Sequence, residues 1–580
     1  MFKHIIKKSI EDALATLKFS TVDFTVEHPE NEGFGDYSTN VAFILSESNK
    51  KPPFEIAEEI AKSIKIKSPI SKIKVEKPGF INFWLEENSL VESLIRIVAE
   101  GEDYGASREG LGQTWLIEHT SPNPNKSMHL GHLRNNVLGM ALSNIWKFMG
   151  IKVIRDCVDN DRGIAIAKLM WGYLKFARKD NKEITDINYW QSHQNEWQTP
   201  KEKKEKPERF MDELYVKGSK DFDEFETSEE QVRKIVINWE KGHSATKDLW
   251  SKVLSFVYEG QRETLQRLGS SWDKVWHESD HYKLGKELVN EGLKKGIFKK
   301  LEDGAILSNL EKYNLSDTIL IKNDGTSLYI TQDLALTKLK KQEFSPTKMF
   351  WVVGPDQSLA LKQLFAICEQ LGVGKLEGFN HLSYGYMSVK GTGKMSSRLG
   401  NVVYIDDLID LAKKEILKKT TDNKIAEKVA VGAVKYSILR VGRTTDTMFD
   451  FETSLSFEGD SGPYLQYTYT RCKSVLGNVK ELDKSVVDSL EIGKDEQKIL
   501  KHIYKFPEIV EKAGLEFSPN LVCLFLFELA KRYNTFYARN SILKADTDSQ
   551  KNFRILLTKA TSQTLKNGLL LLGIESPDKM

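Results

Sequence analysis

Residues 114–154 read TWLIEHTSPNPNKSMHLGHLRNNVLGMALSNIWKFMGIKVI, and this stretch decides the fold. Thr114 to Glu118 is a short apolar run suited to a buried strand. Ser121-Pro122-Asn123-Pro124 breaks it, because proline removes a donor and restricts the residue before it. From near Ser127 a helix is predicted, with Leu130, Leu133, Val137, Leu138, Ala141, Ile145, Trp146 and Met149 recurring at spacings of three and four. Gly150 ends that helix and Ile151 to Ile154 begins another strand. Strand, turn, helix, strand is the βαβ unit of a parallel sheet.

Reading outward, the pattern returns with a strand at Thr318 to Ile321, the Asn323-Asp324-Gly325 turn and a helix from about Thr331. A strand at Met349 to Val353 and a helix from about Asp356 to Leu371 follow. Between the two halves, residues 179–241 change texture, and Lys201-Glu202-Lys203-Lys204-Glu205-Lys206 reads as a solvated charge run in an insertion. Residues 1–105 read as a small α/β module, with helical spacing over Phe54 to Ile64. Strand-like alternation from Ile73 to Leu85 surrounds the Lys77-Pro78-Gly79 turn. Beyond about Asp406 strands are expected to stop, and amphipathic helices follow at Ile425 to Leu439, Pro463 to Leu476 and Leu521 to Phe536. The predicted class is α/β: a Rossmann-type parallel-sheet domain (106–405) carrying the insertion, an N-terminal α/β module (1–105) and a C-terminal all-α domain (406–580).

Composition bounds the rest. A chain of 580 residues, 40% hydrophobic and 29% charged, holds two to four packed domains and is not disordered. No run approaches the roughly 18 apolar residues of a membrane span. Met1 to Ile10 carries three lysines but no apolar segment with a cleavage site after it, so no secretory signal is expected. Cys157, Cys368, Cys472 and Cys523 lie far apart, which argues against a zinc knuckle and fits free thiols in the cytoplasm. A net charge of +2 excludes coating of nucleic acid by global electrostatics while leaving local basic faces open.

Two motifs carry chemistry. His129-Leu130-Gly131-His132 stands at the mouth of the first helix, where unpaired N–H groups and the dipole favour phosphate. Two imidazoles there can donate to its oxygens, and the glycine lets a flat ring approach the backbone. Gly393-Lys394-Met395-Ser396-Ser397-Arg398-Leu399-Gly400-Asn401 has the small residues of a loop and the charge to close over a triphosphate.

Taken together, Ser121-Pro122-Asn123, His129-x-Gly131-His132 and Lys394-Met395-Ser396 resemble the class I aminoacyl-tRNA synthetases. Tyr329-x-x-x-Asp333 and the run from Tyr464-Leu465-Gln466-Tyr467 to Arg471 narrow the likeness to the arginyl-tRNA synthetases. Gly35 to Asn40, Lys77 to Phe80 and Leu565 to Met580 resemble the ends of that family, so the likeness spans nearly the whole chain except the insertion.

The resemblance implies ATP as a substrate with Mg²⁺ accompanying it, and L-arginine and tRNA(Arg) as the other partners. His129, Gly131, His132 and Lys394 would act on ATP together with Met395, Ser396, Ser397 and Arg398. Ser121, Asn123, His132, Glu278, Tyr329, Asp333 and Gln357 would hold arginine. A guanidinium needs anionic and hydroxyl acceptors, which Glu278, Asp333 and Tyr329 supply. Phe34, Asn40, Gln466, Tyr467, Arg471 and Tyr537 would touch tRNA, with the all-α domain as its anticodon-binding part. Tyr533 and Asn534 extend that aromatic and polar surface. Taken singly, each residue has a plainer reading; Asp333, for example, suits the first turn of a helix capped by Thr331.

The chain departs from the family pattern twice. Ser397 stands where many class I enzymes carry a second lysine, and Lys126 is placed to replace that charge. Ala360 stands where relatives often have histidine. The family further implies a monomer and activation that requires bound tRNA. Rival readings are a synthetase for another amino acid, a small-molecule nucleotidyltransferase sharing H-x-G-H, or a tRNA-binding relative without catalysis.

Overall fold

The computed structural model describes residues 2–180, 182–391, 403–479 and 492–580. It divides into two compact units. One joins Met1–Tyr104 to Arg471–Phe506 and Leu529–Leu565; the other comprises Gly105–Thr470, Pro507–Glu528 and Lys566–Met580.

The second unit is built on a five-stranded sheet of Thr114–Glu118, Lys152–Asp159, Lys274–His277, Lys348–Trp351 and Phe379–His381. All its pairings are parallel. In chain order the fifth strand lies beside the fourth, the fourth beside the first, then the second and third. Strand order therefore reverses at the first strand, the place where open parallel sheets bind ligands beyond their carboxyl edge. Successive residues of the first strand face opposite ways. Leu116 packs with Met349, Leu334 and Leu364 on one face. On the other face Trp115 meets Trp146 of the Leu130–Phe148 helix at 5.0 Å between ring centroids. Both faces are covered, which is why the first strand is apolar throughout. Gly150, at φ +84°, stops the helix as expected.

Several expectations need correction. Thr318–Ile321 does not join the parallel sheet; it pairs antiparallel with Ile306–Ser308 in a separate three-stranded sheet. An apolar run of four residues does not specify its partner. The sheet instead takes Lys274–His277 and Phe379–His381, two short strands that the pattern had not revealed. Strands also continue past Asp406, since Thr447–Phe449 pairs in parallel with Met387–Val389. The helical layer between the second and third strands is wider than 179–241, running from the Ile164–Phe176 helix to the Ser244–Arg267 helix. Its core gathers Trp190, Trp197, Met211, Val232 and Val253. The Ile164–Phe176 and Pro207–Glu224 helices cross backbone to backbone: a Cβ on Gly172 would stand 2.0 Å from Leu214 O. Lys201 to Glu205 are exposed, while Lys206 forms an ion pair with Asp406 at 3.1 Å.

In the first unit an antiparallel sheet of Val26–Glu27, Tyr37–Thr39, Phe80–Leu85 and Ile70–Glu76 buries Tyr37, Ile81 and Phe83. The Asp36 carboxylate accepts from Leu85 N–H at 2.8 Å, holding the turn before Tyr37 against the hairpin.

Candidate active site

The first strand ends at Glu118, and the chain turns sharply through Thr120, whose φ of +57° lies in the left-handed region. A β-branched residue is strained there. Its N–H is held by Asn135 Oδ1 of the Leu130–Phe148 helix at 2.8 Å. The turn aims Ser121 Oγ at the second strand, where it accepts from Val158 N–H at 3.0 Å. Asn123 is exposed, its side-chain oxygen accepting from Asn160 Nδ2 at 3.2 Å.

His129 is the N-cap of the helix. Its Nδ1 accepts from Gly131 N–H at 3.1 Å, and His132 Nδ1 accepts from His129 N–H at 3.2 Å. A ring nitrogen that accepts a backbone proton cannot hold its own, so both imidazoles are neutral with the proton on Nε2. Their ring centroids are 4.1 Å apart. Burial, reinforced by His129 and Lys126, pushes His132 down to about 3; burial and Lys126 likewise lower His129, against the pull of Asp212. The helix mouth thus offers two uncharged N–H donors beside its own free amides. A Cβ on Gly131 would stand 3.1 Å from His129 Cε1, so the room left by that glycine serves the histidine's own ring. Lys126 shares this mouth, with Nζ 5.5 Å from the Tyr215 ring centroid.

Lys394, Met395, Ser396, Ser397 and Arg398 lie outside the described residues. Just beyond them, Tyr404 pairs with His129 along the backbone, and Ile405 N–H donates to Met128 O at 3.2 Å. The approach to that segment is also fixed: Arg134 donates to Tyr386 O at 3.1 Å, next to the Met387–Val389 strand.

The other half of the cleft is acidic. The Tyr329–Phe344 helix leads into the fourth strand, so its N-terminus faces the carboxyl edge of the sheet. Tyr329 and Asp333, one turn apart, are both exposed there. Thr331 does not cap this helix, since Leu328 is the N-cap and Thr331 Oγ1 donates to Leu320 O at 2.6 Å. Burial on the cleft floor and the neighbouring Glu118 raise the pKa of Asp333 to about 7, with Lys340 opposing, although one side of the residue stays open to water. Among the described residues Asp333 has no ion pair. Below it Lys340 is wholly buried, 2.6 Å from Glu118 and 2.7 Å from Asp156. Burial works against its charge, but the two carboxylates outweigh that and hold its pKa above the usual lysine value.

Glu278 follows the third strand and meets Arg162 at 3.3 Å. Burial raises its pKa while Arg162 opposes the shift. Gln357 lies exposed in the Pro355–Gln357 turn beyond the fourth strand, as does Ala360 on the helix after it. Asp159, Asp161 and His277 bring potential metal ligands within 4.8 Å of one another. Asp159 already accepts from Tyr258 and from His277 Nδ1, and Asp161 from Ser279 N–H and Oγ. Those bonds account for the cluster as a hydrogen-bond network. Glu118, Asp156, Lys340 and Arg162 were not singled out by sequence, although an acid ending an apolar strand was a visible signal.

Of the residues expected to touch tRNA, Phe34 is 47% exposed and Tyr537 41%. Asn40 accepts from Thr25 N–H at 2.9 Å. Arg471 donates to Asn534 and lies 4.9 Å from the Tyr537 ring centroid. Tyr467 is 37% exposed. Gln466 is a correction: it is fully buried and donates to Lys428 O at 3.2 Å and Glu575 O at 2.7 Å, so it braces helices and has no surface to offer. Tyr533 is buried too, with its hydroxyl 3.3 Å from Thr558 Oγ1.

Three family models match the chain: the arginyl-tRNA synthetase N-terminal domain over residues 3–85, the catalytic domain of class I (R) tRNA synthetases over 94–451, and the DALR anticodon-binding domain over 465–580. The arginine–tRNA ligase of Treponema denticola is 34% identical, with 98% of each chain covered. That of Bacteroides thetaiotaomicron is 34% identical over 94% of each. Among solved structures, the arginyl-tRNA synthetase of Thermus thermophilus shares the fold, with a TM-score of 0.80 at 22% identity and full coverage of both chains. The cleft, the two-histidine helix mouth and these likenesses agree, and the chain belongs to the arginyl-tRNA synthetase family.

Proposed function

We propose that the chain activates L-arginine with ATP to arginyl-adenylate and pyrophosphate, then transfers arginine to the 3′-terminal ribose of tRNA(Arg) with release of AMP. The observation that carries this reading is Asp333, an accessible carboxylate without an ion pair among the described residues, on the same sheet edge as two neutral imidazole donors. The arginine carboxylate attacks the α-phosphorus in line and pyrophosphate leaves. The nucleophile is already an anion and needs no general base, so catalysis rests on positioning and on stabilising charge. His129 and His132 donate through Nε2–H to phosphate oxygens, and Asn123 and Gln357 hold the amino and carboxylate groups. Mg²⁺ bound with ATP would supply positive charge to the leaving pyrophosphate, beside the His129 and His132 donors. A terminal ribose hydroxyl of tRNA then attacks the activated carbonyl. Phe34, Asn40, Tyr467, Arg471 and Tyr537 are candidates for tRNA contact, as aromatic and basic side chains that stack bases and pair with phosphates.

The protein is further proposed to act as a monomer in the cytoplasm; no helix among the described residues is long and apolar enough to cross a membrane. The test is arginine-dependent ATP–pyrophosphate exchange, expected only when tRNA is added. Exchange of equal rate without tRNA contradicts the tRNA requirement, and no exchange with it contradicts the function.

Lys126 is proposed to hold the departing phosphates together with Lys394, replacing the charge absent at Ser397. Its closeness to both histidines supports this, because it contributes to lowering their pKa values. Lys126→Ala is expected to reduce the exchange rate by about tenfold or more, in line with loss of one charge-assisted contact. An unchanged rate at saturating ATP rules the idea out.

A further inference from the structure

The chain from Ser121 to Met128 is irregular and carries two prolines, so its backbone must find partners outside itself. It finds them on the helical layer inserted between the second and third strands. Gln261, on the Ser244–Arg267 helix, donates through Nε2 to Lys126 O at 3.2 Å. Asp212, on the Pro207–Glu224 helix, accepts from Ser127 N–H at 3.3 Å through Oδ2. The same oxygen accepts from the Tyr404 hydroxyl at 3.3 Å. Tyr404 is the N-cap of the Ile405–Ile416 helix and the backbone partner of His129. One carboxylate oxygen therefore joins two segments, far apart in sequence, that meet at His129.

The same two helices hold the second segment again. Arg209, one turn before Asp212, places its guanidinium carbon 3.8 Å from the Tyr404 ring centroid and pairs with Asp407 at 2.8 Å. Asp406 is bound by Lys206 at 3.1 Å, by Arg267 at 2.6 Å and by Thr264 Oγ1 at 2.5 Å. The two helices approach each other closely, since a Cβ on Gly260 would stand 2.7 Å from Glu208 N. Acids at a helix start, paired with nearby cations, would brace that start anywhere. Asp212 differs because it ties the start to the residues leading into the two-histidine motif, and because its charge reaches His129, whose pKa it works to raise.

We propose that Asp212 is a positioning residue for the phosphate side of the cleft: through Ser127 and Tyr404 it fixes where His129 stands, and so gives the inserted layer a part in ATP binding. The inference rests on His129 serving ATP. The segments that Asp212 joins meet at His129, so its loss should be felt by ATP far more than by arginine.

Direct ATP titration of the full-length protein tests this. Asp212→Ala is expected to weaken ATP binding by about tenfold or more, as befits a charged acceptor of two hydrogen bonds, while arginine affinity stays within about threefold. Asp212→Asn keeps an oxygen for both donors and should bring ATP affinity back to within about threefold of the unaltered chain. Tyr404→Phe removes one of the two bonds and should weaken ATP by about threefold; combined with Asp212→Ala it should add almost nothing, because both act through one link. Should Asp212→Ala fail to fold, Tyr404→Phe decides by the same split between ATP and arginine. Unchanged ATP affinity in folded Asp212→Ala overturns the proposal, and so does an equal loss for both ligands, the mark of a general loosening. Absence of arginine-dependent exchange in the unaltered chain would instead defeat the functional reading, a failure that leaves the ATP titrations readable.

Discussion

Asp333→Asn is expected to lower kcat/KM for arginine by on the order of 30- to 1,000-fold, chiefly through KM. Removing one partner of a charge pair that becomes covered when substrate binds costs about 2–4 kcal/mol. Asn keeps the size and one acceptor of the side chain but loses the charge, so ATP binding should be unaffected. The raised pKa of Asp333, about 7, adds a second signature. The guanidinium binds the ionised carboxylate. As pH falls through the Asp333 pKa the carboxyl takes up a proton, and arginine affinity declines; above it affinity levels off. Bound arginine favours the ionised form, so the pKa of the complex lies lower than that of the free protein. Arginine titrations without ATP across pH 5.5 to 8.5 should show this decline in the unaltered chain, and Asp333→Asn should flatten it. A variant with unchanged arginine affinity would remove Asp333 from the pocket.

His132→Asn is expected to lower kcat of exchange by about 10²-fold, the usual loss on removing one preorganised donor to developing charge. Asn retains an acceptor for His129 N–H, so the helix mouth should keep its cap and the melting temperature should hardly move. His132→Ala removes donor and cap together, and should lose a further 0.5–2 kcal/mol of stability, roughly the worth of an N-cap. Because the His132 pKa lies near 3, the ring stays neutral from pH 6 to 8 and contributes no pH dependence to kcat there. Full activity in His132→Asn would show that the Nε2 proton serves no phosphate. These measurements separate the two jobs of one imidazole.

Much of the fold was legible because some elements state their environment in their own periodicity. The Leu130–Phe148 helix carries a stripe for the sheet, and the first strand is apolar on both faces because both are covered. Lys274–His277 and Phe379–His381 escaped notice because each is short and mixes polar with apolar residues; the sheet supplies their partners. Thr318–Ile321 looked like a sheet strand for the converse reason. At the site, the two histidines were legible as a motif, but their shared protonation state was not: it follows from which ring nitrogen faces a backbone N–H. Lys340 reads as an ordinary helical lysine until Glu118 and Asp156 are brought to it by the sheet. Gln466, between a leucine and a tyrosine, reads as surface although two carbonyls far along the chain hold it inside. Arg162 carried no signal at all, because two of its partners, Glu240 and Glu278, lie 78 and 116 residues away.

Charging total tRNA with the purified protein and ATP, offering each of the twenty amino acids in turn, decides whether this cleft selects arginine and passes it to tRNA. Aminoacyl-tRNA is expected with arginine alone, accompanied by AMP. Stable charging with any other amino acid, or AMP formed with arginine while the tRNA remains uncharged, would contradict that role.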